Sequence, residues 1–256
     1  MAQDSEKELQ QLKNRLHELA DRAYSQGMFT FTGFLGLAEQ DVFWQEERTF
    51  RHVGYTLYGG REGADRVVVR FGNAEEMGYE TPFPVVCVHI TPRIPKFADE
   101  LSHRDFLGAL MNLGIDRGLL GDIKVGEKQA YIFCLDSIAE FICDHLEQVK
   151  HTHVKCAVTE NYEELEEEEP ELVNVQVQSV RVDAVLSKVY NLSREKSLEL
   201  FRAGKVYLNG RLCENNARSL SAGDVVNARG YGKFRLTEGC RETRKGKLAV
   251  DVSVYR

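Results

Sequence analysis

No two cysteines in this chain are spaced for metal or redox chemistry. The six, Cys87, Cys134, Cys143, Cys156, Cys213 and Cys240, never come closer than nine positions, so there is no C-x-x-C pair. That excludes a zinc knuckle and a thioredoxin-type couple, and leaves reduced, mostly buried thiols as the expectation. No apolar run approaches the roughly 18 residues that span a bilayer. The opening stretch, Met1 to Arg15, is polar and charged rather than a secretory apolar core, so a cytoplasmic protein with no membrane partner is expected. Neither G-x-S-x-G, nor G-x-x-x-x-G-K-[ST], nor G-x-G-x-x-G occurs, so acyl-transfer nucleophile, ATP and dinucleotide have no recognisable seat. His151 and His153 would share one face of a strand, but no third ligand is placed by spacing. No cofactor, metal, catalytic residue or small-molecule substrate is expected, and nothing argues for an enzyme.

What is present is a globular composition and an uneven charge. With 43% hydrophobic positions, 13 Phe and 10 Tyr, the chain cannot be wholly disordered, and 256 residues suit two or three cores. The net charge of −7 hides an asymmetry: residues 179–256 hold 16 Lys/Arg against 8 Asp/Glu, and the rest hold 17 against 32. Between Glu160 and Glu171 stand eight Glu and no basic residue. Such a block repels itself and reads as a linker, expected over residues 161–178. A basic end on an acidic chain points to a polyanionic partner.

Local patterning supplies an α+β reading. Leu9, Leu12, Leu16, Leu19 and Ala23 recur at three- and four-residue steps, predicting a helix over 5–24. Residues 30–60 are aromatic and mixed and give no clear period; Val67–Phe71 reads as a strand. Val85–Ile90 reads as a buried strand, and Ser102 with Asp105 as a capping box opening a helix that stops at Gly114. Asp122–Val125 and Ala130–Leu135 flank a Gly126-Glu127-Lys128 turn. Asp136 or Ser137 caps a helix with an Ile138, Phe141, Ile142, Leu146 stripe, and a strand follows near Val154–Thr159. The order β-α-β-β-α-β is the ferredoxin-like split arrangement that RNA-recognition motifs also use. Such motifs stack bases on aromatics of their first and third strands. Here Val85–Ile90 offers no aromatic, and the third strand offers Tyr131 and Phe133 on one face without the preceding basic-Gly-aromatic signature.

The last third carries the sharpest pattern. Val182, Val185, Leu186 and Val189 make one helical stripe, with Arg181 and Lys188 outward. Ser193 is an N-cap with Arg194 at the first helical position, and Gly204 is a left-handed stop. Lys205 to Leu208 is a short strand, Asn209-Gly210 a tight turn, and Ser221 to Asp224 a turn into Val225–Ala228. Arg194 and Lys196 then lie in the first turn of a helix, where unpaired N–H groups and the dipole favour phosphate. Arg229, Tyr231, Lys233 and Arg235 fall at period two and would project from one side of a strand; Arg241, Arg244, Lys245 and Lys247 add a cationic loop. Asp183 reads as a helix-capping carboxylate.

The assembly R-V-D-x-x-L, S-R-x-x-S, F-x-x-G-K-V-x-L-N-G and G-D-x-V resembles the S4 RNA-binding domain over some fifty residues, with Ser197 where a small Ala is commoner. The resemblance implies an RNA face made of Arg181, Ser193, Arg194, Lys196, Lys205 and Arg211; Lys188, Arg229, Tyr231, Lys233 and Arg235 join it on position and charge. Taken with Ser102-His103-Arg104-Asp105-Phe106-Leu107-Gly108-Ala109-Leu110, Leu113-Gly114-Ile115-Asp116-Arg117, Gly121-Asp122-Ile123 and the Arg229–Phe234 run, the chain is similar to the YlmH family. That likeness implies an N-terminal helical and mixed segment (1–80), an RRM-like middle domain (81–160), the acidic linker (161–178) and a terminal S4 domain (179–256). It further implies a cytoplasmic, non-catalytic protein on the large ribosomal subunit carrying peptidyl-tRNA, with structured rRNA and tRNA as partners and a quality-control role. Two other readings remain. S4 domains are often fused to pseudouridine synthases or methyltransferases, although there they usually come first and a G-R-L-D loop is missing here; a cell-division scaffold is the third.

Overall fold

The computed structural model describes residues 2–160, 170–243 and 246–255. It divides into two compact units, Met1–Leu165 and Glu166–Arg256. Among the described residues no helix is long and apolar enough to cross a membrane.

The first unit opens with α1 (Ala2–Gln26), whose stripe buries Leu16, Leu19, Ala20 and Ala23. The stretch with no legible period folds as β1 (Thr30–Phe31), α2 (Leu37–Phe50) and β2 (Tyr55–Tyr58); β3 (Val68–Phe71) and the one-turn α3 (Ala74–Met77) follow. The three strands form an antiparallel sheet in the order β1-β3-β2. Ring packing replaces periodicity here: Phe50 stacks on Phe43 at 5.6 Å and stands edge-on to Phe71 at 5.3 Å. Buried polar groups on α2 are satisfied. Gln40 Nε2 donates to the carbonyls of Leu35 and Asp65, and the Glu47 carboxylate accepts from Arg51 and the Tyr55 hydroxyl. A buried Gln and Glu blur an amphipathic pattern, which is why α2 was not readable.

The same unit continues through β4 (Val85–Pro92), α4 (His103–Asn112), β5 (Leu120–Gly126), β6 (Gln129–Leu135), α5 (Asp136–His145), β7 (Gln148–Val149) and β8 (Thr152–Thr159), with 3-10 turns at Pro95–Phe97 and Arg117–Leu119. The strands lie antiparallel in the order β5-β6-β4-β8-β7. One sheet face buries Val88, Ile90, Ile132 and Cys134 under Phe106 and Leu110 of α4 and Ile142 of α5. Two details of α5 differ from expectation. Its N-cap is Leu135 rather than Asp136 or Ser137, and Phe141 is exposed, lying against His145 at 4.2 Å, while Ala139 takes the inward position. At α4 the expected capping box is formed: Ser102 N–H and hydroxyl both donate to Asp105 Oδ2, at 2.7 and 2.6 Å. Those bonds and the Lys150 ammonium hold the Asp105 carboxyl down at about 2.

The other sheet face is partly covered from within the unit. Phe133, Cys87 and Tyr131 are buried with Phe34 and Val68. Asp122 on β5 holds this contact: its carboxylate accepts from the backbone N–H of Asp65 and Arg66 and from the Arg61 guanidinium. Arg66 in turn donates to the carbonyls of Phe34, Leu120 and Arg117. Burial, and then the neighbouring Arg66 charge, push the Arg117 guanidinium down to about 10. The Gly121-Asp122 and Arg117 residues quoted for the family likeness are therefore used in docking these loops.

The second unit begins with β9 (Glu171–Val177), so the acidic linker expected through residue 178 ends sooner. Val173, Val175 and Val177 alternate inward and pair the strand with β14, an alternation the glutamates before it masked. The expected linker residues 161–169, and Arg244 and Lys245 of the cationic loop, lie outside the described residues. Then come α6 (Val182–Val189), α7 (Arg194–Arg202), β10 (Val206–Leu208), β11 (Arg211–Leu212), β12 (Val225–Ala228), β13 (Gly232–Glu242) and β14 (Leu248–Tyr255), forming an antiparallel sheet in the order β11-β10-β12-β13-β14-β9. Val182, Val185 and Leu186 of α6 and Leu200 and Phe201 of α7 close one face of it over Val226, Phe234 and Val252.

Two outcomes follow. Gly60 has φ +96°, and a Cβ there would meet Phe133 Cδ1 at 2.2 Å, so Gly60→Ala combines backbone strain with a core clash. We expect a loss of about 2 kcal/mol or more, read as a lower midpoint in thermal unfolding. Burial pushes the thiols of Cys87, Cys134 and Cys156 up to about 12, whereas Cys240 is exposed. Alkylation at pH 8, followed by mass spectrometry, should label Cys240 first and reach those three only on unfolding.

Candidate nucleic-acid interface

The junction of α6 and α7 is built by local rules. Asn191 takes φ +50° and Leu192 N–H returns to the Ser187 carbonyl, reversing the chain within a few residues. Ser193 then caps α7, its hydroxyl accepting from Lys196 N–H at 3.1 Å. Ser197, fully buried, fits where the two helices touch and donates to the Asp183 carbonyl at 3.3 Å. The first turn of α7 thus leaves Arg194 and Lys196 exposed on an anchored backbone beside Lys188 at the end of α6. Lys196 also lies 3.2 Å from the Glu199 carboxylate, which raises its affinity for the proton; the pair is half exposed on both sides and weak.

Other elements converge on that junction. The β12–β13 connection is a tight turn, Tyr231 N–H donating to the Ala228 carbonyl, with Gly230 and Gly232 at positive φ. Tyr231 packs its ring against Tyr190 at 5.6 Å, linking this turn to the end of α6. Arg229 N–H donates to the Lys205 carbonyl, and the Arg229 guanidinium lies over the Tyr207 ring at 5.1 Å. Lys188, Ser193, Arg194 and Lys196 therefore stand at the α6–α7 junction with Tyr231 packed on Tyr190 beside them, whereas Lys205 and Arg229 lie together past the C-terminal end of α7 and reach the junction only through the 229–231 turn.

Four expected residues stand apart, and two readings need correction. Arg229 and Tyr231 do not share a strand face with Lys233 and Arg235: β13 starts at Gly232, because Ala228 pairs with Gly232 and the three residues between them form the turn. Lys233 lies over the Tyr255 ring at 5.5 Å and Arg235 pairs with Val225, farther along the sheet. Arg211 follows the Asn209-Gly210 turn, at the opposite end of β10 from Lys205. Arg181, at the other end of α6 from Lys188, is engaged: its Nε and Nη2 donate to the two Asp183 oxygens at 3.1 and 2.6 Å. Asp183 also accepts from Asn216 Nδ2, so this carboxylate ties Arg181 to the 213–220 loop instead of capping α6. Tyr190 and Tyr207, the rings beneath Tyr231 and Arg229, were missed by charge-based reading; an aromatic two residues after Lys188 or Lys205 was the available signal.

Cations and aromatic rings on a rigid helix start and a neighbouring turn make a surface for a phosphate-bearing polymer. Comparison with known proteins gives the family, and its RNA-binding match lies in the first unit. A family model described as "Putative RNA-binding domain in YlmH" matches residues 80–163. The Bacillus subtilis (strain 168) "Ribosome-associated protein quality control protein P2" is 31% identical over 206 residues, covering 77% of each chain. The solved structure titled "Cell division protein ylmH from Streptococcus pneumoniae" is similar at 20% identity with a TM-score of 0.47, covering 59% of this chain and 91% of that one. The chain belongs to the YlmH family.

The Arg181–Asp183 pair generates a discriminating expectation. Arg181→Ala leaves a mostly buried carboxylate with one partner fewer, so it should lower the thermal midpoint, at a cost of about 1 kcal/mol. It should leave the salt slope of RNA binding as in the unsubstituted chain, measured by fluorescence anisotropy across a salt series.

Proposed function

We propose that this chain is a non-catalytic RNA-binding protein that docks on structured rRNA and tRNA through a C-terminal S4 domain (179–256). In this reading it acts in the cytoplasm on the large ribosomal subunit with peptidyl-tRNA, in ribosome-associated quality control. Residues 1–80 and 81–160 are then the N-terminal segment and an RRM-like domain, followed by an acidic stretch that ends before β9.

The observation that carries this reading is the set of exposed cations on an anchored backbone at the two ends of α7. Arg194 and Lys205 are exposed and form no ion pair among the described residues, and Arg194 is the first residue of α7, at the positive end of its dipole. Phosphate contacts of this kind fix position and register without reading bases, which suits recognition of folded RNA by shape. Support for the ribosomal setting comes from the named role of the Bacillus subtilis relative. Lys188, Ser193, Lys196, Arg229 and Tyr231 complete the proposed face; Arg211, Lys233 and Arg235 would contact RNA only if it extends along the sheet, and Arg181 serves the fold.

The test is the salt dependence of binding to large ribosomal subunits or to an rRNA stem-loop. Replacing Arg194 and Lys205 together by Ala should reduce the slope of log K against log salt by about two, one per lost phosphate contact. An unchanged slope would remove these residues from the RNA face.

A further inference from the structure

Residues 1–80 carry 14 Asp/Glu against 9 Lys/Arg, so this part of the chain repels polyanions rather than gathering them. It nevertheless exposes rings. Tyr24, Met28 and Tyr79 leave 66%, 42% and 46% of their surface to solvent. Single exposed apolar residues are ordinary, but these three belong to one closed circuit. Tyr24, in the last turn of α1, stands edge-on to His52 at 5.3 Å. Two residues on, the Gly54 carbonyl accepts from Gly72 N–H, and a Cβ at Gly54 would lie 3.2 Å from Asn73 Cβ. Asn73 caps α3, its side-chain oxygen accepting from Glu75 N–H, and Gly78 at φ +74° turns the chain out of that helix into Tyr79. The Tyr79 hydroxyl donates to the Gly27 carbonyl at 3.3 Å, between Tyr24 and Met28, and the circuit closes. Its floor is packed: Phe29 is buried, stands edge-on to Tyr79 at 5.3 Å, and with Met77 lies so close to Gly72 that a Cβ there would meet both at 2.7 Å.

The charge around these rings has one sign to spare. Asp21, three residues before Tyr24 on α1, and Glu75 and Glu76 on α3 are exposed and form no ion pair among the described residues. Of the cations in the same segments, Arg22 and Arg51 are taken by Glu18 and Glu47 at 2.8 and 2.7 Å, and only Arg48 is exposed without such a pair. Arg70, against the Phe29 ring at 4.8 Å, is buried and shared with Glu80. Exposed tyrosine faces beside unpaired carboxylates suit a guanidinium, whose delocalised charge lies on the ring while its N–H groups reach the carboxylate oxygens. A phosphate backbone or an acidic protein would meet the same carboxylates as repulsion. Charge complementarity therefore selects a basic polypeptide.

We propose that the surface bounded by Tyr24, His52, α3 and Tyr79 docks an arginine-bearing segment of a basic protein, which makes the first unit a protein-binding module as well. The inference is independent of the cations on α7 and stands or falls apart from them. The test titrates the full chain against a fluorescein-labelled ten-residue peptide of alternating Arg and Gly, read by anisotropy, with the rRNA stem-loop as a second probe. Tyr24→Ala with Tyr79→Ala removes both rings; Glu75→Gln with Glu76→Gln removes two charges at exposed positions and keeps the shape. Each pair should weaken peptide binding by about tenfold and leave stem-loop binding unchanged. Thermal unfolding shows whether each variant is folded, and Tyr24→Ala alone replaces the double variant if loss of Tyr79 disturbs Phe29. Unaltered peptide affinity in either folded variant overturns the docking surface, wherever else on this acidic chain the peptide has settled. So does an unsubstituted chain that does not bind the peptide. Weakened stem-loop binding in the same variants would make the surface an RNA contact and overturn the proposal equally.

Discussion

A guanidinium grips a phosphate usefully only when the backbone beneath it stays still. In the second unit that stillness comes from the clamping of α6 and α7 against a six-stranded sheet, with Val182, Val185, Leu186 and Phe201 on one side and Phe234 and Val252 on the other. Ser197 shows how little slack the contact has, because only a small side chain fits between the helices and its hydroxyl still finds the Asp183 carbonyl. The exposed cations inherit their positions from this core. Where a cation is instead paired with a partly buried acid, as Arg181 is with Asp183, it contributes to folding and has two of its donors occupied.

Much of the second unit was legible because its signals are local. A capping serine, a left-handed glycine, an Asn-Gly turn and an alternating strand each report on a few neighbouring residues, and Ser193, Gly204 and Asn209 behave as such residues should. The errors arose where period two can be produced by something other than a strand. Arg229, Tyr231, Lys233 and Arg235 alternate with Gly230, Gly232 and Phe234, and the two glycines spend their positive φ values on a turn. Similarly, Val173, Val175 and Val177 alternate as a strand should, but they follow a glutamate run whose charge is the stronger local signal.

In the first unit the limits are of another kind. The α2 region has no clear stripe because its interior is held by rings and by buried Gln40 and Glu47, whose partners are distant in sequence. Asp122 cannot be recognised as a structural acid from its neighbours alone, since three of its hydrogen bonds come from residues some sixty positions earlier. The same holds for His89, which looks like an ordinary strand histidine until Tyr131 is found beside it. Sequence patterning sees what a segment does with itself; these residues act across the fold.

The placement of β9 has a practical corollary for dissecting the molecule. The strand enters at the rim of the sheet next to β14, the last strand among the described residues, and the two are joined by backbone hydrogen bonds. A fragment cut just before α6, where motif boundaries would suggest, strips that rim and uncovers a row of unsatisfied amides lined with Val250, Val252 and Val254. Such a naked margin recruits whatever strand is nearest, including the equivalent margin of another fragment, and self-association of that piece would say nothing about the intact protein.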